Sequence, residues 1–112
     1  MSARFLTPPI IVIVDETGNL FYLQRMDDAQ VGSLDIAIAK ARTAARFKRP
    51  TKAFDDAVSS GRTPILAVAE IMPIEGGIPI MFGGRVIGAI GVSGGSSTQD
   101  AQTAQAGASI IK

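Results

Sequence analysis

Residues 76–95, GGIPIMFGGRVIGAIGVSGG, constrain this chain more than any other stretch. They hold eight of its twelve glycines. Two apolar, β-rich runs, residues 78–82 and 85–92, flank Gly83-Gly84. A Gly-Gly pair in that setting predicts a tight hairpin, because glycine reaches positive φ without a steric penalty. Glycines inside the second run mark bulges, or places where another backbone or a ligand comes close. The run stops at Ser93-Gly94-Gly95 and a helix start follows at once. The stretch therefore predicts a central hairpin feeding a C-terminal helix.

The rest of the chain arranges itself around that hairpin. Residues 10–14 are a β-branched run closed by Asp15-Glu16-Thr17-Gly18-Asn19, which has turn chemistry, and residues 20–25 alternate as a returning strand. Pro8-Pro9 keeps the entry extended. Ser33 is a predicted N-cap for a helix over 34–48, with Asp35 in its first turn. Leu34, Ala37, Ile38, Ala41 and Ala45 carry its helical spacing, and Pro50 ends it. Thr51 is placed to cap a short helix over 52–59, with Gly61 as its stop. Residues 64–75 read as one irregular strand interrupted at Pro73. A last helix over 98–111 starts from a capping box, either Ser96 with Gln99 or Ser97 with Asp100. Hairpins joined by helices predict an α+β fold: an antiparallel sheet of about five strands flanked by helices, in one domain over 1–112.

Composition narrows the chemistry. The chain of 112 residues has no cysteine, which excludes disulfides, thiolate chemistry and zinc–cysteine sites. It has no histidine, which removes the commonest acid/base group and metal ligand. Eleven basic and ten acidic residues leave a net charge of +1, against a general nucleic-acid surface. Arg42, Arg46, Lys48, Arg49 and Lys52 do cluster, but Phe47 alone interleaves with them, so they read as a solvated helix face. The longest apolar run, residues 8–14, is too short to span a membrane, and no leader signal is legible, so the cytoplasm is the default location. An apolar content of 46% with alanine-rich helix faces and glycine-rich strands points to a homo-oligomer, the alternative being a tightly packed monomer.

Four separated motifs resemble the GlcG/HbpS-like family, which includes the C-terminal domain of PduO-type adenosyltransferases. They are Val14-Asp15-x-x-Gly18 with Arg25-Met26-Asp27; Lys40-Ala41-x-Thr43-Ala44; residues 76–80, GGIPI; and residues 88–95, GAIGVSGG, with Asp100. The match covers about residues 10–111 and keeps the motif order. The resemblance implies a profilin-like or PAS-like domain, usually oligomeric, and a haem- or corrinoid-associated binding role. Members usually begin with a helix before the first strand. Only nine residues precede Ile10 here, so that helix is expected to be missing or replaced by another subunit. Without histidine, the side chains left for an iron are Tyr22, Met26, Met72 and Met81.

Candidate site residues follow. Lys40 borders the alanine stripe with Thr43 on the same helix face, placed to meet an anion in a cleft or simply to snorkel. Arg25 offers a fork suited to a carboxylate, or pairs with Asp27. Gly76 and Gly77 invite backbone approach, and Pro79 implies an edge or bulge. Ser93 opens a strand-to-helix link whose free N–H groups suit an anion or only a cap. Glu75, beside the glycines, is a candidate acid or base, as is Lys40. The favoured expectation is a small oligomeric domain binding a tetrapyrrole or another small anion between helix 34–48 and the glycine-rich hairpin. The alternatives are an enzyme acting on a small carboxylate or carbonyl compound by proton transfer, and an accessory assembly subunit.

Overall fold

A computed structural model describes residues 9–25, 29 and 31–110. Strands β1 (Ile10–Asp15) and β2 (Leu20–Arg25) form the first hairpin, and β3 (Gly77–Phe82) and β4 (Arg85–Ser93) the second. Helices are α1 (Val31–Phe47), α2 (Lys52–Ser59) and α3 (Ser97–Ile110). The sheet runs β2-β1-β4-β3, antiparallel throughout, so the two hairpins meet along β1 and β4. The class is the expected α+β, with four strands rather than about five.

The missing strand is the stretch over 64–75. It forms a 3-10 turn, Thr63–Ala67, and then irregular backbone. Pro64 sets the first turn, and Pro73 has no N–H to give a ladder. Side chains take the place of a neighbouring strand. Thr43 Oγ1 lies 2.8 Å from the Ala39 carbonyl and 3.2 Å from that of Glu70, and accepts the Met72 N–H at 2.9 Å.

Three local expectations shift. α1 begins at Val31, so Ser33 lies buried inside its first turn instead of capping it. Ala29, just ahead, is packed into the core and delivers the chain to the helix early. Thr51 stands at the N-cap of α2 but makes no side-chain cap bond, because its hydroxyl is engaged elsewhere. At α3 the Ser96–Gln99 capping box forms with both bonds at 3.1 Å, which leaves Asp100 free for a different role. The Gly83-Gly84 turn forms with φ of 59° and 79°, the left-handed pair that a two-residue hairpin loop needs.

α1 covers one face of the sheet, against Ile10, Val12, Val14 and Ala89. α3 covers part of the other, against Ile80, Ile90 and Val92. Among the described residues no helix is long and apolar enough to cross a membrane.

Candidate functional site

The cleft expected between α1 and the glycine-rich hairpin is closed. A Cβ on Gly91 would run into the Ala37 carbonyl, and one on Gly77 into the Lys40 carbonyl. Helix backbone rests directly on strand backbone, which leaves no room for a ligand. The open space lies one element over, beyond Gly76 and Gly77. A cleft of about 390 Å³ has Pro50 and Lys52 on one side, Glu75, Gly76, Gly77 and Ile78 as its floor, and Thr98, Ala101, Gln102 and Gln105 opposite. The last four follow a spacing of three and four residues, so one face of α3 forms that wall.

Side chains from the α1–α2 corner hold the floor rigidly. The Gly77 N–H donates to Thr51 Oγ1 at 2.8 Å, and the Thr51 N–H donates to the Gly77 carbonyl at 3.0 Å. The Glu75 N–H donates to Asp55 Oδ2 at 2.9 Å. The Gly76 carbonyl accepts from the Val92 N–H at 3.0 Å. Gly76 has φ of +135°, and a Cβ there would stand 2.7 Å from Lys40 Nζ, so the position requires glycine twice over.

Lys40 lies under this floor. It is 2% exposed and paired at 3.2 Å with Asp100, which is equally buried. Its ammonium also donates to the Val92 carbonyl at 2.9 Å, while Asp100 Oδ1 accepts the Gly95 N–H at 3.0 Å. Burial pushes the Lys40 pKa below its ordinary value, and the Asp100 charge pulls part of it back. The lysine does meet an anion, but an internal one. In the cleft itself, Glu75 can exchange a proton, while the exposed Lys52 ammonium is shared with Asp56 at 3.0 Å. The remaining polar lining is amide and hydroxyl.

Of the candidates, Glu75, Gly76 and Gly77 line the cleft and Lys40 supports it. The others lie apart. Arg25, on the edge strand, donates to the Ala29 carbonyl at 3.2 Å. Thr43 pins the irregular stretch to α1. Pro79 and Met81 border a separate groove of about 130 Å³. Ser93 is buried at the end of β4, opposite Ile10. Tyr22 is exposed on β2, its hydroxyl 3.2 Å from Gln24 Oε1. Met72 is half-buried, outside the cleft lining. Met26 and Asp27 lie outside the described residues. The reading from sequence gave no site role to Thr51, Asp55, Asp100 or the α3 glutamines. For Asp100 a signal existed: a lysine bordering an alanine stripe is headed for burial, and a buried ammonium needs a carboxylate.

The family model described as haem degrading protein HbpS-like matches residues 3–109. The chain belongs to this family. GlcG of Escherichia coli K12 is 42% identical over 83 residues, 74% of this chain and 62% of GlcG, so the chain spans less than two thirds of that relative. Among solved structures, Klebsiella pneumoniae ORFY superposes with a TM-score of 0.85 at 36% identity, covering 95% of this HbpS-like chain and 76% of ORFY. PduOC, solved as a complex with haem, superposes with a TM-score of 0.82 at 32% identity, over 95% of this chain and 80% of PduOC.

Proposed function

We propose that this HbpS-like chain binds a tetrapyrrole at the cleft between residues 75–78 and α3, by its ring faces and periphery rather than through a protein ligand on the metal. The reading rests on a preformed cleft of about 390 Å³ in a chain that shares its fold with the haem-bound PduOC. That volume is in the range of small-molecule sites and receives one edge of a macrocycle. Pro50, Ile78 and Ala101 offer apolar contact, Gln102 and Gln105 offer amides, and Lys52 is the cation available to a peripheral carboxylate. Among the described residues, the cleft lining suits the ring and not an iron. Proteins hold haem iron through His, Cys, Met or Tyr, the chain lacks the first two, and neither Tyr22 nor Met72 nor Met81 lines the cleft.

The test is a spectroscopic titration with hemin and with metal-free protoporphyrin IX. Both bind, with affinities within about threefold, and Ala101→Trp weakens both by about tenfold or more. If neither binds, the reading is wrong. If hemin alone binds, with an axial-ligand spectrum that Tyr22→Phe or a Met26→Leu, Met72→Leu or Met81→Leu variant abolishes, iron is ligated elsewhere and this cleft is not the site. The runner-up reading, proton transfer on a small carboxylate or carbonyl compound, rests on Glu75 in the same cleft, since Lys40 is enclosed by its ion pair.

A further inference from the structure

We infer that the cleft admits only a carboxylate-free edge of a porphyrin, and that Glu75 and Asp55 set this preference by repelling acidic substituents. The inference rests on the tetrapyrrole reading of the cleft and adds which rings it accepts. They are rings that carry their acids on one edge and apolar groups on the opposite one.

The charges around the cleft do not balance. Among the described residues, Lys40 beneath the floor is matched by Asp100 at 3.2 Å, and Lys52 in the lining by Asp56 at 3.0 Å. Each lysine has its own carboxylate, so Glu75 and Asp55 have no cation left to pair with. The two are held side by side, because the Glu75 N–H donates to Asp55 Oδ2 at 2.9 Å. Both are half-buried. Their charges act on Lys40 below and on Lys52 at the mouth alike. The opposite wall does not compensate, since Asp100 is the single charged residue of α3. Arg49, next to Pro50, is turned to the Phe54 ring and the Phe47 carbonyl.

A carboxylate entering this cleft loses water and meets two like charges with no free cation to offset them. An apolar edge meets Pro50, Ile78 and Ala101 instead. Lys52 and Asp56 are 56% and 63% exposed, so an acid that reaches Lys52 does so at the mouth, in water, where an ion pair adds little. Protoporphyrin IX fits this pattern. Its propionates share one edge and stay outside while the vinyl-bearing edge enters. Coproporphyrin III has a propionate on every pyrrole ring, and uroporphyrin III adds an acetate to each, so neither has an edge free of carboxylate.

The test is a fluorescence titration of the whole chain with metal-free protoporphyrin IX, coproporphyrin III and uroporphyrin III. Protoporphyrin IX binds at least about tenfold more tightly than coproporphyrin III, and uroporphyrin III binds more weakly still. Glu75→Gln and Asp55→Asn keep size and hydrogen-bonding atoms while removing a charge. Each narrows the gap between the first two porphyrins by about threefold or more. Added salt narrows it in the wild type, as repulsion between charges requires and steric exclusion does not. If no porphyrin binds, the cleft is not a tetrapyrrole site and this inference falls with that reading. If protoporphyrin IX binds and coproporphyrin III binds as tightly or more so, the reading stands and this inference alone is overturned. A gap that ignores both substitutions and salt overturns it too, since shape would then set the preference.

Discussion

Where α1 crosses β3 and β4 the residues are small enough for backbone to meet backbone; on the opposite face the residues are large and many of them stay in water. Ala37, Ala41, Ala44, Ala45, Gly77 and Gly91 make the first contact, with Lys40 and Asp100 sealed at its edge. Phe21, Tyr22 and Phe82 mark the second. Close packing fixes register and leaves no volume for a ligand. The open face fixes little within the chain and offers surface to something outside it. This contrast puts the open cleft on the α3 side, and explains why Gly77 and Gly91 press on α1 while Gly76 and Gly77 also border the cleft.

The sharpest way to break the contrast is the ion pair. Lys40→Met leaves the Asp100 carboxylate buried without its cation and is expected to cost about 3–5 kcal/mol. Lys40→Met with Asp100→Leu recovers part of that loss, because both charges leave together while the Val92 carbonyl and the Gly95 N–H each lose a side-chain partner. Urea unfolding midpoints at constant m measure both. A single variant costing under about 1 kcal/mol would mean that water reaches the pair and the edge is not sealed.

The next largest effect compares one glycine from each face. Gly91→Ala presses a methyl onto the Ala37 carbonyl and Ala41 and should cost about 1–3 kcal/mol. On α3, Gly107→Ala meets only the end of the Ile90 side chain, which can swing aside, while helix propensity improves by about 1 kcal/mol. It should be neutral or stabilising. Equal costs at the two positions would erase the distinction between the faces.

The smallest effect belongs to Asp15, at the end of β1. The Thr17 hydroxyl and the Asn19, Thr17 and Gly18 backbone hold its carboxyl below the ordinary value of 3.8. A carboxyl depressed in the folded state contributes stability above its unfolded pKa and loses it as pH falls through the folded one. Melting temperature should therefore drop as the medium is acidified below about pH 4, with a shallower drop in Asp15→Asn. Identical acid limbs would show that the turn bonds do not outlast solvation.

Much of this was legible beforehand, for identifiable reasons. Both hairpins and the α3 cap follow from local chemistry: the Gly83-Gly84 turn, the residues 15–19 turn, and Ser96 three residues before Gln99. The stretch over 64–75 was not legible as it stands, because its bonds run to Thr43 and Asp55, distant in sequence. Thr51 misled for a related reason. A cap signal describes what a hydroxyl can do for its own helix, and here the Gly77 N–H claimed it. The candidate cleft was legible only on the Glu75-to-Gly77 side. Glu75, Gly76 and Gly77 do line a cleft, yet which side of those glycines is hollow depends on how closely a helix approaches, and spacing does not encode that distance.

The pairing of residue 40 with residue 100 also bears on synthesis. A nascent chain that has emerged only as far as β4 holds β1 to β4 and α1, but not the carboxylate. To close α1 on the sheet at that point would enclose a bare ammonium, so the domain cannot settle until the start of α3 has left the ribosome. The carboxylate that arrives with α3 thus decides when α1 and the sheet may lock together.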